Sequence, residues 1–374
     1  MNLSTEELSR YSRHLRLKEV GEEGQEKLKN AKVLVIGAGG LGCPILQYLA
    51  AAGVGELGII DFDEVEESNL QRQVLFGTSD IGTNKAVAAK NRLESLNPLI
   101  TITTYPYKLT TKNALELFAS YDIIVDGSDN FSTRYLVNDA AIICGKPLVY
   151  GAIHRFEGQV SVFNYEEGPS YRCLFPNPPK AGSVPNCSEI GVLGILPGII
   201  GSMQATEALK LILGIGKPLS GRLLVYNALN HQQLLLQISK NVEVIEQTKQ
   251  SVDDFEDMNY DVFCGIEPID TDNIQEITAE ELANKLQTQS VQLVDVRESF
   301  EQPKLTKYPV ISIPVKEILT KASNIDKTLE TVIFCQHGIR SQHAIELLQE
   351  HFGFKNLSNL KGGIIKLHRL LKVM

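Results

Sequence analysis

The sequence predicts two α/β domains: a doubly wound, largely parallel sheet with an antiparallel extension, followed by a smaller α/β domain. Three observations support this prediction. Short apolar runs alternate with helical patterns between residues 33 and 150, which is typical of parallel sheets with crossover helices. The periodicity fades over residues 241–276, where acidic and polar residues dominate. A second strand and helix pattern then begins at residue 277.

Seven apolar runs read as strands of the first domain, residues 1–240. The first 30 residues are rich in charges and helix formers, and the later helical pattern ends at Gly214, a frequent helix stop. The predicted strands are Val33–Ile36, Leu57–Ile60, Ile100–Tyr105, Asp122–Val125 and Pro147–Tyr150, with Gln159–Tyr165 and Gly221–Asn227 forming the antiparallel part. The predicted helices include Leu41–Ala52, a stretch ending at Ile143, and Met203–Leu213.

Residues 241–276 are interpreted as a linker, and residues 277–374 as the second domain. Thr278 and Glu281 have the spacing of a capping box at the start of a helix. The elements predicted after that cap are the helix Ala279–Leu286, the strands Val291–Asp295 and Val332–Phe334, and the helix Ser341–Phe352.

Composition and charge exclude some classes of function. The chain has 374 residues, of which 43% are hydrophobic and 22% charged, as in an ordinary globular protein. The net charge of −9 argues against direct nucleic-acid binding, because the phosphate backbone requires a basic face. No apolar run reaches the roughly 18 residues of a membrane span, and the polar start lacks the core of a signal peptide. We therefore expect a cytoplasmic protein without membrane contact.

A glycine-rich turn follows the first strand. Gly37, Gly39 and Gly42 fit the GxGxxG pattern, and Gly40 lies between them, directly before a helix. Such glycines let the backbone approach phosphates near a positive helix end. Asp61 ends the next strand, where a carboxylate can bind ribose hydroxyls. On their own, these residues favour a dinucleotide-dependent oxidoreductase.

Three charged residues shift the interpretation towards a triphosphate. Arg72 and Lys85 follow the glycine turn, and cations there neutralise phosphate charge. Asp129 follows the strand that ends at Val125, so it lies at the carboxyl edge of the parallel sheet and could hold Mg²⁺. The alternative role of Asp129 is to cap the next helix.

With these motifs in order, residues 1–240 resemble the MoeB/ThiF/HesA family, relatives of the adenylation domain of ubiquitin-activating enzymes. The matching segments are Tyr11–Arg13, Gly37–Gly42, Asp61–Asp63, Ser68–Gln73, Lys85, Asp129–Asn130 and Gly191–Gly194. The resemblance implies ATP-dependent adenylation of the C-terminal glycine of a small ubiquitin-like sulfur carrier of the ThiS or MoaD type, ending in Gly-Gly. It also implies a homodimer, in which Arg13 reaches the ATP site of the other subunit.

The resemblance assigns roles residue by residue. Asp61 would bind ribose, and Asp129 would coordinate Mg²⁺. The residues implied to contact the nucleotide are Gly37, Gly39, Gly40, Gly42, Asp61, Asp63, Ser68, Asn69, Arg72, Lys85, Asp129 and Asn130. Adenylation makes chemical sense because AMP is a far better leaving group than a carboxylate oxygen, and the enzyme mainly positions groups and neutralises charge.

Two cysteine features carry further expectations from the family. Cys187 occupies a position where relatives can bond to the activated carrier, although a loop cysteine without catalytic duty is equally open. Family members usually bind structural zinc through two CxxC pairs, but here the pairs begin with Ser170 and Asp261 and retain only Cys173 and Cys264. Two thiolates with Ser and Asp make a poor tetrahedral site, so we predict that structural zinc is absent.

The second domain has a cysteine loop of its own. Cys335 follows a strand and precedes a helix, so N–H groups and the helix dipole can stabilise a thiolate or persulfide, and Arg340 adds positive charge. With Asp295–Glu298 and Leu360–Gly363, this segment resembles a single rhodanese domain. The resemblance implies that Cys335 carries a persulfide, supplied by an upstream persulfide donor. Residues 302–308 depart from the usual family sequence, so donor recognition could differ.

Three functions remain open at the level of sequence. The first is carrier adenylation followed by sulfur transfer to give a thiocarboxylate. The second is an NAD-dependent oxidoreductase, which the glycine turn and Asp61 permit. The third is a non-catalytic docking protein on the same fold. The sequence does not choose among molybdopterin, thiamine and tRNA-thiolation pathways.

Overall fold

The chain folds into two compact units, residues 1–265 and 266–374. The computed structural model describes residues 3–179, 191–264, 274–288, 291–336 and 338–373. Helices of the first unit are α1 (Thr5–Arg10), α2 (Ser12–Leu15), α3 (Gly21–Asn30), α4 (Gly42–Ala52), α5 (Lys85–Leu96), α6 (Thr111–Ala119), α7 (Phe131–Ile143), α8 (Tyr171–Leu174), α9 (Leu196–Leu213), α10 (Val242–Gln250) and α11 (Tyr260–Phe263). Its strands are β1 (Lys32–Ile36), β2 (Glu56–Ile60), β3 (Thr101–Tyr105), β4 (Ile123–Asp126), β5 (Leu148–His154), β6 (Glu157–Phe163), β7 (Arg222–Asn227) and β8 (Gln233–Gln237).

The first unit confirms the predicted doubly wound, Rossmann-like sheet with an antiparallel extension. The strand order is β3-β2-β1-β4-β5-β6-β7-β8, parallel from β3 to β5 and antiparallel from β5 to β8. The chain leaves β1 in one direction and returns to the other side at β4, which creates a topological switch point between them. In such sheets, ligands bind at the carboxyl ends of the strands beside the switch point.

Apolar side chains cover both faces of this sheet. One face packs against α4, α5 and α9 through a core that includes Val33, Val35, Leu46 and Leu49. The other face packs against α6 and α7 through residues such as Leu34. Since both faces are buried at the centre of the sheet, β1 and β4 are nearly continuous apolar runs, whereas the edge strand β3 carries three threonines.

The interpretation of residues 241–276 as a linker is wrong up to residue 263. Residues 242–250 and 260–263 form α10 and α11, which pack on α7 of the first unit. Ile245, Phe255 and Tyr260 are buried there. The acidic character of this segment hid these anchors, because they are separated by exposed polar residues.

A buried ion pair ties α8 and α11 to α7. Arg172 donates two hydrogen bonds of 2.7 Å to the carboxylate of Asp139, and the Tyr260 hydroxyl donates a third, also of 2.7 Å. The Arg172 guanidinium also lies over the rings of Tyr135 and Phe263. Burial, reinforced by the Asp139 charge, raises the pKa of Tyr260, so its hydroxyl remains a donor at neutral pH.

The second unit has an all-parallel sheet. Its strands are β9 (Gln275–Ile277), β10 (Gln292–Asp295), β11 (Val310–Ser312), β12 (Thr331–Phe334) and β13 (Leu357–Leu360), and its helices are α12 (Ala279–Thr288), α13 (Ile339–Phe352) and α14 (Gly363–Val373). The strand order is β11-β10-β12-β13-β9. The predicted capping box is confirmed: the Glu281 carboxylate accepts the Thr278 N–H at 2.9 Å, and the Thr278 hydroxyl accepts the Glu281 N–H at 3.2 Å.

Within the residues that the structure describes, no helix is both long enough and apolar enough to span a bilayer.

Replacing Asp139 with Asn should destabilise the first unit by about 3–5 kcal/mol, because it leaves the buried Arg172 charge without its counter-ion. Chemical unfolding of the full chain measures this loss. Glu167→Gln is the matched control: it breaks a surface ion pair with Lys240, in which the Glu167 side chain is 94% exposed, and should change stability little. Equal stability of the two variants would contradict a clamping role for Asp139.

Candidate active sites

The glycine turn follows β1 at the switch point and is packed backbone against backbone. The Gly37 N–H bonds the Ile60 carbonyl at 2.8 Å, and the Gly127 N–H bonds the Ile36 carbonyl at 2.8 Å. A Cβ at Gly42 would lie 2.0 Å from the Gly37 oxygen, and Gly37 itself has a φ of +88°. Glycine is therefore required at both positions.

Asp61 lies beside this turn, as predicted. One of its carboxylate oxygens accepts the Ala38 N–H at 2.8 Å, and the other accepts the Asp63 N–H at 2.9 Å. Burial raises the pKa of Asp61, although Lys85 and the two N–H donors oppose that shift. Lys85 begins α5 as a buried side chain, and its ammonium group lies 3.0 Å from the Asp63 carboxylate. A lysine held in this way could exchange its partner for a phosphate.

Arg72 and its neighbours lie against the other side of the turn. The Arg72 Cγ is 3.8 Å from the Cβ position of Gly40, and its guanidinium donates to the Ser68 carbonyl at 3.1 Å. The buried Asn69 accepts the Glu66 N–H at 3.2 Å, which holds the short turn that carries Arg72.

The segment after β4 completes the rim. Asn130, rather than Asp129, caps α7 by accepting the Thr133 N–H at 2.9 Å. Asp129 is therefore exposed, and it follows Gly127, whose Cβ position lies 3.2 Å from the Gly37 oxygen. The structure thus brings Arg72, Lys85 and Asp129 to one glycine turn.

Buried polar atoms around the turn support a ligand there. Among the described residues, the buried side-chain atoms without a hydrogen-bond partner are Gln73 Oε1, Ser128 Oγ, Arg134 Nε and Gln204 Oε1. The Gln73 amide is 3.7 Å from the Cβ position of Gly39, and Ser128 directly follows Gly127. Since buried polar groups rarely lack partners, the Gln73 and Ser128 atoms fit a polar ligand at the turn.

Arg13 lies elsewhere in the chain. It is exposed on α2, next to Tyr11, whose hydroxyl accepts a 2.8 Å bond from Asn97 beyond the end of α5. Lys85 lies at the other end of α5. Because that helix has 12 residues, its two ends are roughly 18 Å apart. Within one chain, Arg13 is not brought to the glycine turn. Cys187 lies outside the described residues.

Cys173 and Cys264, the cysteines that remain of the two CxxC pairs, lie in surroundings that offer few metal ligands among the described residues. The Cys173 sulfur accepts N–H groups from Ser170 and Asn241, both at 3.3 Å. Burial raises the pKa of Cys264 to about 11, which keeps its thiol protonated. Across the described ranges, no group of three or more His, Cys, Asp or Glu side chains could hold a metal ion. The donor set does not fit zinc, and the absence of zinc stays a prediction.

In the second unit, Cys335 directly follows β12 and is a buried residue in a polar cradle. Its sulfur accepts the Gly338 N–H at 3.1 Å and lies 3.5 Å from the Ser341 hydroxyl. Gly338 has a φ of +103°, which turns the chain into α13. Ser341 is held in turn by Asn359, at 2.6 Å. The Gly338 N–H can stabilise negative charge on sulfur, whereas the single hydroxyl hydrogen of Ser341 is directed to Asn359.

A second ring of charges surrounds this cradle. The fully buried Arg297 forms a paired contact with Asp295, at 2.9 Å for each bond, and donates to Gln336 at 2.8 Å. Arg340 forms a paired contact with Glu301, at 2.7 Å for each bond. Arg340 is therefore beside the cysteine loop, as predicted, but its charge is matched by a carboxylate.

Comparison with known proteins identifies the families of the two regions. The ThiF family profile matches residues 11–250, and the rhodanese-like domain profile matches residues 278–369. This chain belongs to the ThiF family. It carries a rhodanese-like domain after the ThiF region, as the motifs predicted.

Three relatives show how far the similarity extends. The Probable adenylyltransferase/sulfurtransferase MoeZ of Mycobacterium tuberculosis is 44% identical, over 97% of this chain and 93% of its own length. Adenylyltransferase and sulfurtransferase MOCS3-1 of Drosophila pseudoobscura is 40% identical, over 97% and 83%. The Sulfur carrier protein adenylyltransferase of Thermus thermophilus is 54% identical over 71% of this chain and 100% of its own.

Solved structures agree on the fold of the ThiF region. Escherichia coli MccB, crystallised with MccA, is 24% identical with a TM-score of 0.56, covering 64% of this chain and 74% of that one. At this identity the likeness supports the doubly wound fold alone.

Some residues around both sites escaped sequence reasoning. Ser128 and Arg134 in the ThiF region, and Glu301 and Asn359 in the rhodanese-like domain, were not selected. Gln73 lies inside the matching segment Ser68–Gln73, but its residue type indicates no particular role. In sequence, Arg134 and Glu301 resemble any surface charge.

Two glycine substitutions should separate packing from ligand binding. Gly42→Ala should unfold or strongly destabilise the ThiF domain, because its Cβ meets a backbone oxygen. Gly39→Ala should keep the wild-type melting temperature, because its Cβ meets only the Gln73 amide, at 3.7 Å. The same Cβ would intrude on the phosphate cradle, so ATP binding should weaken at least about tenfold. Calorimetry and nucleotide titration measure both effects. Wild-type ATP affinity in Gly39→Ala would place the phosphates elsewhere.

Proposed function

We propose that this protein adenylates the C-terminal glycine of a small ubiquitin-like sulfur carrier with ATP and then transfers sulfur from a Cys335 persulfide, giving a thiocarboxylate. The observation that carries the proposal is the gathering of Arg72, Lys85 and Asp129 around the glycine turn, in a chain that also holds Cys335 in an N–H-lined cradle. The printed names of the relatives, adenylyltransferase and sulfurtransferase, support the same pair of activities.

In the first step, the carrier carboxylate attacks the α-phosphorus of ATP and pyrophosphate leaves. The glycine turn offers its backbone to the phosphates, and Asp61 lies where the ribose would bind. Lys85 and Arg72 neutralise charge that develops on the departing pyrophosphate. Lys85 begins from its pair with Asp63 and transfers to phosphate when ATP arrives.

Asp129 would hold Mg²⁺ with the bound nucleotide. Its carboxylate is exposed at the rim because Asn130 has taken the capping role, so it is available as a ligand. When bound, the ion would supply neutralisation of the triphosphate charge.

In the second step, the outer sulfur of the Cys335 persulfide attacks the acyl-adenylate carbon, and AMP leaves. The carrier is then joined to Cys335 through an acyl disulfide. A second thiol must attack the Cys335 sulfur to release the thiocarboxylate and form a disulfide. Cys187 is our candidate for that thiol.

We also propose a homodimer in which Arg13 completes the partner's ATP site. Its exposed position far from the turn of its own chain supports action in trans. The paired domains favour the adenylating enzyme over an NAD-dependent oxidoreductase and over a docking protein. Nicotinamide turnover without carrier-dependent ATP–pyrophosphate exchange would reverse that preference, and carrier binding without ATP consumption would favour docking.

The two chemical steps should be separable by mutation. Asp129→Ala should abolish carrier-dependent ATP–pyrophosphate exchange, whereas Cys335→Ser should keep exchange and lose thiocarboxylate formation. Intact-mass analysis of carriers incubated with enzyme, ATP and a persulfide donor detects the replacement of one oxygen by sulfur and identifies the partner.

Matched controls exist for both variants. Asp122→Ala removes an exposed acid at the opposite end of β4 and should leave exchange unchanged. Cys144→Ser should leave sulfur transfer unchanged. Exchange by Asp129→Ala would refute the metal assignment, and thiocarboxylate from Cys335→Ser would refute the donor.

Mixing two inactive variants tests the role of Arg13. In a dimer of Arg13→Ala and Asp129→Ala subunits, one site keeps both residues if Arg13 acts in trans, so an equimolar mixture should regain about a quarter of wild-type exchange. Subunit exchange followed by the pyrophosphate assay measures this recovery. An inactive mixture, despite verified heterodimers, would place Arg13 outside the partner's site.

A further inference from the structure

Three cations around the Cys335 cradle are matched by carboxylates. Arg297 pairs with Asp295, Arg340 pairs with Glu301, and Lys316 lies 2.8 Å from Glu298. The formal charges of these three pairs cancel. These three pairs therefore add no net positive charge that would concentrate small anions at the cradle.

Of these three pairs, Arg340–Glu301 lies nearest in sequence to the N–H group that bonds the Cys335 sulfur. Arg340 is two positions beyond Gly338, whose N–H bonds the cysteine sulfur. Its two terminal nitrogens each donate to a separate Glu301 oxygen at 2.7 Å, which is the paired geometry that a guanidinium uses to bind an oxyanion. Glu301 therefore already occupies the face with which Arg340 would bind an anionic donor.

Glu301 remains charged at neutral pH. Burial would raise the pKa of its carboxyl group, but the bonds from Arg340 and from the Glu298 N–H outweigh burial and lower it. The Glu298 N–H lies 2.9 Å from Glu301, so the carboxylate is also fixed in place by the backbone.

We propose that Glu301 is a positioning residue for donor specificity: it acts through Arg340 to disfavour dianionic sulfur donors such as thiosulfate and so directs the domain to cysteine persulfides. This inference rests on the proposed function, because it concerns how Cys335 is loaded. Glu301 repels a dianion more strongly than a donor with little net charge, and it withholds the paired N–H groups of Arg340.

The loading chemistry balances for either class of donor. The Cys335 thiolate attacks the outer sulfur of a cysteine persulfide, the sulfur–sulfur bond of the donor breaks, and the donor leaves as a thiolate. With thiosulfate, the same attack breaks its sulfur–sulfur bond and sulfite leaves with the electron pair. The two donors exchange the same kind of sulfur–sulfur bond. They differ in the negative charge that they bring next to Arg340.

Steady-state transfer to cyanide by the full chain tests the inference, with thiosulfate and cysteamine persulfide as the two donors. Glu301→Gln should lower KM for thiosulfate about tenfold, or 1.4 kcal/mol, and leave kcat and the KM for the nearly neutral persulfide within about twofold. Glu301→Asp keeps the charge and should retain wild-type discrimination. The advantage of Glu301→Gln should shrink as salt is added, because salt screens exposed charges.

Glu298→Gln is the matched control. It removes a carboxylate from the same segment that faces Lys316 rather than Arg340, and should change the thiosulfate KM much less than Glu301→Gln does. An unchanged thiosulfate KM in Glu301→Gln, an equal fall for both donors, or the same shift in Glu298→Gln would overturn the inference while leaving sulfur loading intact. Absence of sulfur on Cys335 with either donor, in wild type and variants alike, would overturn the proposed function together with it.

Discussion

The contact of glycine backbones at the switch point between β1 and β4 is the constraint on which the first site depends. Gly37, Gly42 and Gly127 approach so closely that side chains at Gly42 or Gly127 would strike backbone oxygens or nitrogens. This contact exposes N–H groups at the start of α4 and brings the ends of β1, β2 and β4 together. Asp61, Lys85 and Asp129 gather there because their elements end or begin at that edge.

The second domain applies the same principle to sulfur. A parallel strand delivers Cys335 to the start of α13, where a glycine with positive φ directs an N–H at the sulfur. The two sites differ in how their charges are balanced. In the ThiF domain, Lys85 is buried against an exposed Asp63, whereas Arg297 and Arg340 are held by carboxylates in paired geometry. One site is therefore suited to polyanions, and the other is electrostatically balanced.

The Arg172–Asp139–Tyr260 cluster connects the segments that carry Cys173 and Cys264 to α7. It ties α8 and α11 to α7 with three charge-assisted bonds and two aromatic contacts to the guanidinium. Such a clamp depends on burial, because an exposed pair of the same groups contributes little. It explains why the segment after residue 240 is folded onto the ThiF domain although its composition resembles a linker.

The sequence by itself determined the features whose cause is local. The strand, glycine turn and helix around Gly37, the position of Asp61, and the loop of Cys335 follow from periodicity and from conformations that only glycine adopts readily. Tertiary structure alone decided which distant side chains meet. Arg340 and Glu301 are 39 residues apart, Tyr260 and Asp139 are 121 apart, and Asn130 rather than Asp129 caps α7. Such pairings depend on burial and geometry created when the elements pack, so no local pattern of residues encodes them.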